Sequence, residues 1–228
     1  MSAGPEVAGW TARPLPPRKP LQGRLCRVEP LGPRHAEDLF AANSGDFDQW
    51  MYSAYGPFDR LEDYGRWVRD VSARDDPLFH AIVDLRSGKA VGVASYMRID
   101  PANGVIEVGN IRYAPELKRG TVATEAMYLM MARAFDELGY RRYEWKCDSL
   151  NWPSRRAAER LGFRFEGLFR QHMVVRGRSR DTAWFSIVDS EWPALKRAFE
   201  GWLSPGNFDS AGIQVKRLSE FIAGARSG

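Results

Sequence analysis

The segment from Val105 to Cys147 constrains the fold of this chain more than any other. Val105 to Tyr113 is rich in β-branched and aromatic residues and reads as a strand. Val122 to Leu138 is an apolar helical run in which Met127, Met130, Met131, Ala134 and Leu138 recur at helical spacing until Gly139 supplies a stop. Arg142 to Cys147 alternates Arg142, Glu144 and Lys146 with Tyr143, Trp145 and Cys147, which gives a strand with one charged and one apolar face. Two strands joined by such a helix form a crossover unit, which pairs its strands in parallel and with a right-handed turn. The link between the first strand and the helix carries Lys118 and Arg119, and the backbone amides of a helix start at that place aim at an anion.

Antiparallel elements surround this unit. Leu25 to Val28 reads as an edge strand, and Pro33 to Ala42 as a short helix with proline in its first turn. Asp59 and Glu62 have capping-box spacing and start a helix that runs to about Ala73. Leu78 to Leu85 and Lys89 to Ile99 form a hairpin around Arg86-Ser87-Gly88, with Val91, Val93, Ser95, Met97 and Ile99 on one face. Pro101-Ala102-Asn103-Gly104 is a turn into the crossover strand. After the crossover come a helix from Pro153 to Leu161 and a long hairpin, Phe163 to Val175 and Asp181 to Asp189. The expected architecture is α/β: a mixed sheet flanked by helices, with a C-terminal β-hairpin. A chain of 228 residues fits one domain, expected over 24–203. Residues 1–23, with Pro5, Pro14, Pro16, Pro17 and Pro20, read as a flexible arm. Residues 204–228 read as a tail with a short helix from Gln214 to Ala223.

Lys118, Thr121 and Ala123 fall where an Arg/Gln-x-x-Gly-x-Gly/Ala loop would place its key residues, and Asn151-x-x-Ser154 followed by Gly162-Phe163 forms a second motif downstream. In this order the two resemble motifs A and B of the GNAT superfamily of acetyl-CoA-dependent N-acetyltransferases. Ala123-Thr124-Glu125-Ala126 and Glu166-Gly167-Leu168-Phe169-Arg170 are similar to the RimJ/RimL branch, whose best-known members acetylate protein N-termini. The resemblance implies a GNAT-like sheet whose central parallel strands splay apart, with the pantetheine arm of acetyl-CoA in the gap. It assigns the pyrophosphate to the amides of Arg119, Gly120, Thr121, Val122, Ala123 and Thr124, with charge from Lys118 and Arg119. The thioester carbonyl goes to a backbone N–H near Ile111 or Arg112, and Asn151 and Ser154 contact the cofactor. Thr121 departs from the pattern, which has glycine there. It either crowds the phosphate, donates a hydroxyl to it, or simply caps the helix.

Acetyl transfer to an amine needs a proton acceptor and support for the departing thiolate. Glu107 lies on the strand before the splay, on the face of Gly109 and Ile111 if alternation holds, and is a candidate base; its bland reading is a solvent-facing, ion-paired strand residue. His172 in the hairpin is the other candidate, since imidazole titrates near neutrality, although a lone strand histidine commonly serves packing. The position four before Gly162, where many relatives carry an acidic tyrosine, is Ala158 here, so the resemblance assigns the thiolate to the Ser154 hydroxyl. Helix capping is the alternative for Asn151 and Ser154. Trp50, Tyr52, Tyr55 and Phe58 either line an acceptor pocket or form a satellite core.

The 33 basic and 29 acidic side chains nearly offset one another at a net charge of +4, which does not point to nucleic acid. Cys26 and Cys147 stand apart without a CxxC or Cys/His cluster, so no disulfide framework, metal site or covalent acetyl-enzyme is expected. The absence of an apolar signal segment leads to the expectation of a cytoplasmic protein without membrane contact, monomeric or homodimeric. The leading expectation is therefore an N-acetyltransferase acting on a small-molecule amine or a peptide N-terminus by direct attack in a ternary complex. A degenerate module that binds coenzyme A as a sensor or scaffold is the alternative. An RNA- or ribosome-associated basic protein, with steeply salt-dependent affinity, is a third reading.

Overall fold

The computed structural model describes residues 3–43, 50–118 and 120–227. Eight strands, β1 (Leu21–Gln22), β2 (Cys26–Pro30), β3 (Leu78–Asp84), β4 (Ala90–Asp100), β5 (Val105–Tyr113), β6 (Arg142–Asp148), β7 (Arg164–Val175) and β8 (Arg178–Val188), form one sheet in the order β1-β2-β3-β4-β5-β6-β8-β7. Neighbours are antiparallel except β5 and β6, the parallel pair that the crossover demands. The helices are α1 (Ala36–Ala42), α2 (Leu61–Ser72), α3 (Thr121–Ala132, continued by a π-helical turn over Arg133–Glu137), α4 (Trp152–Arg160), α5 (Trp192–Leu203) and α6 (Leu218–Ser227).

Two apolar cores lie on opposite faces of the sheet. The larger joins Ile106, Val108, Tyr143 and Phe185 of the strands to Met127, Met130 and Met131 of α3, Ala158 of α4, Leu195 and Phe199 of α5 and Ile222 of α6. The smaller packs Leu39 of α1 and Tyr64 and Val68 of α2 on Phe79, Ala81 and Val93. Helices α1 and α2 thus cover only the β3–β4 side of their face. The same face of β5, β6, β8 and β7 is left for polar groups, and the chemistry collects there.

Several local expectations shift. The edge lies at β1, which pairs outside β2 with Leu21 opposite Val28, so Leu25 to Val28 is not an edge. Glu125 of α3 fixes this corner by accepting the N–H groups of Arg24, Leu25 and Cys26 at 3.0, 2.7 and 2.8 Å. The proline-rich stretch runs along the body, where Arg133 donates to Lys19 O at 2.6 Å and the Tyr140 hydroxyl to Pro14 O at 3.2 Å. Asp59 and Glu62 make no capping box: α2 starts at Leu61 without a side-chain cap, and Glu62 pairs with Arg60 at 3.2 Å instead. A register shift between β3 and β4 turns Val91 into the larger core while Val93 faces the smaller one. In the tail, Gln214 accepts from Trp202 Nε1 at 2.8 Å and the helix begins later, at Leu218.

Candidate active site

Strands β5 and β6 pair from Val105–Arg142 to Val108–Trp145 and then part. The cause lies in β5. Asn110 adopts φ of 51°, and Ser95 and Val93 of β4 stand opposite Gly109 and Arg112, so one extra residue bulges from β5 at the point of separation. The bulge breaks the alternation expected from the sequence. Ile111 and Tyr113 pack with Ile106 and Val108 against the larger core, whereas Arg112 turns to the opposite face. Ile111 therefore does not share a face with Glu107, and Arg112 does. Beyond Val108 no register pair joins β5 to β6, so the gap between the two strands opens alongside Ile111 and Arg112.

Both helix starts that flank this gap open onto it. At α3, Gly120 is the capping residue and Thr121 the first helical one, so Thr121 does not act as the cap. A Cβ at Gly120 would lie 3.2 Å from Leu117 O, which makes Gly120 the position where the loop is tight. No side chain caps this end, and the first-turn amides of Thr121, Val122 and Ala123 have no helical acceptor. Lys118 is exposed just before it, and Arg119 lies outside the described residues. A cation that sequence reading missed completes the loop. Arg160, in the last turn of α4, donates to Thr124 Oγ1 at 3.1 Å, has no carboxylate partner among the described residues, and is held below the usual guanidinium pKa by burial. Its only trace in the sequence is a basic residue ahead of Leu161-Gly162.

At α4, Asn151 Oδ1 accepts the Ser154 N–H at 3.1 Å and is the N-cap expected from the sequence. Ser154 Oγ accepts from Trp145 Nε1 at 3.0 Å, so the hydroxyl keeps a proton of its own to donate. Ala158 is fully buried in the larger core, so that position holds no acid. The Cys147 thiol lies close by; burial pushes it up, while Ser154, Arg180 and Arg155 draw it back down.

The charged face of β6 is buried rather than solvated. Glu107 accepts two bonds from Arg98 Nη1, at 2.9 and 2.8 Å, and meets Lys146 Nζ at 3.0 Å. Lys146 also meets Glu144 at 2.7 Å, Glu144 meets Arg142 Nε at 2.7 Å, and Arg142 Nη1 reaches Glu166 at 2.8 Å. Burial pushes the Glu107 carboxyl up, and the Lys146 and Arg98 cations oppose that shift. The Lys146 ammonium sits 3.8 Å from the centroid of Trp184, whose ring lies tilted against Phe169 with centroids 4.6 Å apart. His172 is exposed beside this aromatic pair, with Nδ1 3.0 Å from Thr182 Oγ1. Glu107 and His172 thus occupy the floor and wall of one face.

Trp50, Tyr55 and Phe58 separate from Tyr52. Trp50 and Phe58 meet edge to face at 5.5 Å, Tyr55 stacks on Trp67 at 4.6 Å, and all three pack with the smaller core. Their contact with the site is indirect: the Arg112 guanidinium lies 3.6 Å from the Trp50 centroid and donates to Ser53 Oγ at 2.9 Å. Tyr52 reaches across the gap, its hydroxyl donating to Leu150 O at 3.0 Å, and Arg176 at the hairpin tip bonds Gly56 O. The loop over 50–58 therefore arches from the β6–α4 corner to the hairpin.

Residues 26–164 match the family model described as an acetyltransferase (GNAT) domain. The chain belongs to the GNAT acetyltransferase family. A crystal structure of a GCN5-related N-acetyltransferase from Brucella melitensis shares 54% identity, covering 95% of this chain and 100% of that one at a TM-score of 0.93. A GNAT-family structure from Chromobacterium violaceum ATCC 12472 shares 40% identity over 85% of this chain and 98% of its own, at a TM-score of 0.79. YdaF of Bacillus subtilis (strain 168), named as a candidate ribosomal N-acetyltransferase, is 25% identical over 176 residues, 74% of this chain and 92% of its own length. This GNAT acetyltransferase combines strands that part beyond Val108 with a threonine as the first residue of α3 and a buried alanine at position 158.

Proposed function

We propose that this GNAT acetyltransferase moves the acetyl group of acetyl-CoA to a primary amine, on a small molecule or a peptide N-terminus, by direct attack in a ternary complex of the RimJ/RimL type. The observation that carries the reading is the convergence of two helix starts on the β5–β6 gap. One offers uncapped amides and the Arg160 cation; the other offers the Ser154 hydroxyl. Anions bind where helix amides and cations coincide, so Lys118, Gly120 to Thr124 and Arg160 would hold the phosphates of acetyl-CoA. Backbone N–H groups of Ile111 or Arg112 would polarise the thioester carbonyl, and Ser154 would donate to the sulfur as charge develops on it.

His172 is assigned the proton from the attacking amine, because its Nδ1 is oriented by Thr182 and its ring is accessible. Glu107 is engaged by two cations and acts as the anchor of the charged floor. Direct attack is supported by the cysteines: burial raises both the Cys26 and Cys147 thiols, which leaves no ready thiolate to carry the acetyl group. A cytoplasmic setting suits an enzyme using acetyl-CoA, and among the described residues no helix is long and apolar enough to cross a membrane.

Calorimetric titration with acetyl-CoA tests the reading. Wild type should bind in the micromolar range, near −8 kcal/mol in order of magnitude. Lys118→Ala and Asn151→Ala should each weaken binding, and Thr121→Gly should leave it within about threefold, because Gly120 already supplies the tight position. No binding by wild type overturns the reading, and binding without turnover on any amine would make the chain a scaffold.

A further inference from the structure

Two donors on the acceptor-side face go unmet within the protein. Arg180 Nε and Trp184 Nε1 are buried and have no hydrogen-bond acceptor among the described residues. Both belong to β8, four residues apart, and strand alternation places them on one face with Thr182, the partner of His172. The register extends this face to β6, where Trp184 stands opposite Lys146 and Thr182 opposite Asp148. A buried donor without an acceptor is destabilising, so an unmet pair beside a reaction gap marks a place for a ligand that brings acceptors.

The ion pairs point the same way. On this face Glu107, Glu144 and Glu166 are joined to Arg98, Lys146 and Arg142 in one connected network, and Asp148, farther along β6, accepts the Leu150 N–H at 2.9 Å. Arg180 stands outside that network and pairs with no carboxylate among the described residues, yet it is near enough to Cys147 to draw the thiol downward. The positions of Cys147 and Ser154 mark the open end of the gap, so this guanidinium, without a direct carboxylate pair, lies one strand from where the acetyl group would be transferred.

We infer that the acceptor amine also carries an oxyanion, a carboxylate or phosphate, and that Arg180 receives it. The inference rests on the reading of this face as the acceptor side of acetyl transfer. A planar guanidinium holds such a group through parallel N–H bonds, which fixes the acceptor's orientation as well as adding affinity. The Trp184 indole N–H offers a further donor along the same strand.

Matched acceptors test this: phosphoethanolamine against ethanolamine and β-alanine against propylamine as small molecules, and the tripeptide amides Ser-Glu-Ala and Ser-Gln-Ala as peptides. Both kcat/KM and calorimetric binding to protein saturated with coenzyme A are measured, so that binding is read even without turnover. The anionic member of at least one pair should be favoured by about tenfold or more, and which pair responds identifies small molecule or peptide as the source of the anion. Arg180→Gln should bring that ratio close to one while leaving acetyl-CoA affinity, melting temperature and turnover of the neutral member within about twofold; Arg180→Lys should fall between. Equal treatment of both members in every pair, or a preference that survives in Arg180→Gln, overturns the inference and assigns the unmet donors to water. If acetyl-CoA itself fails to bind, the transfer reading falls and this inference with it.

Discussion

Glu107 shows how the neighbours of one side chain decide its task. A carboxylate on the strand ahead of the gap has the position of a base, but Arg98 and Lys146 occupy its oxygens. Removing one partner of a buried pair costs about 3–5 kcal/mol, because the remaining charges stay desolvated. Glu107→Gln should therefore lower the melting temperature markedly and reduce the maximal rate without moving the acidic limb of the pH–rate profile. His172→Gln should abolish that limb with little loss of stability, since the ring is exposed. The opposite pattern, a limb lost in Glu107→Gln and kept in His172→Gln, would return the base to Glu107. Arg160 gives a second case at this scale. Arg160→Gln should weaken acetyl-CoA by about tenfold through the loss of a charge-assisted bond, with partial recovery in Arg160→Lys. Equal affinity of wild type and Arg160→Gln in the same titration would confine Arg160 to its bond to Thr124 and its place over the Trp202 ring, 5.3 Å from the centroid.

Among the elements, α3 is used twice in its first turns: the amides of Thr121 to Ala123 have no helical acceptor, and Glu125 gathers the three N–H groups of the β1–β2 corner. Glu125→Ala should leave those donors orphaned in a buried corner and cost about 3–5 kcal/mol, whereas Glu125→Gln should recover part of that through its amide oxygen. Urea unfolding of the two variants checks the ranking, and a small, equal loss in both would show that solvent reaches the corner. The sequence exposed α3 and its flanking strands because apolar periods of 3.6 and 2 are written directly in residue order, and Asn151 at α4 because cap chemistry is local. The bulge at Asn110 was hidden, since an asparagine that tolerates positive φ is only a weak sign of an extra residue. The arginine, glutamate and lysine of β6 were legible as alternation but not as a buried network, because a solvated face and a buried ion chain share the same pattern. Arg160 and Arg180 gain their meaning only when α4 docks on α3 and β8 lies beside β6. Such tertiary placements leave no local trace.

For the molecule as a whole, two buried titratable groups far from the gap set the response to acid. His80 is fully buried on the edge of Tyr96, and burial, the largest cause, lowers its pKa from 6.5 to about 4. Above pH 6.5 His80 is neutral in both states and contributes nothing to the pH dependence. As pH falls from 6.5 towards 4 the unfolded chain takes up the proton and the folded one does not, so stability declines by about 3 kcal/mol and then levels. Glu29 acts lower down. Burial pushes its carboxyl up, but bonds from Arg27, His35 and Arg34 prevail and bring it to about 2 from 4.5, so its contribution is complete above 4.5 and is lost as pH falls towards 2. The two windows meet, and the result should be one continuous loss of stability from pH 6.5 down to 2. Variants separate them: His80→Gln should flatten the upper part of a plot of unfolding free energy against pH, and Glu29→Gln the lower part, each leaving the other slope intact. An upper slope unchanged in His80→Gln would place the proton uptake on another group. Because neither residue touches the β5–β6 gap, the acidic limb of the rate measured with folded protein should stay with the site while the stability curve moves.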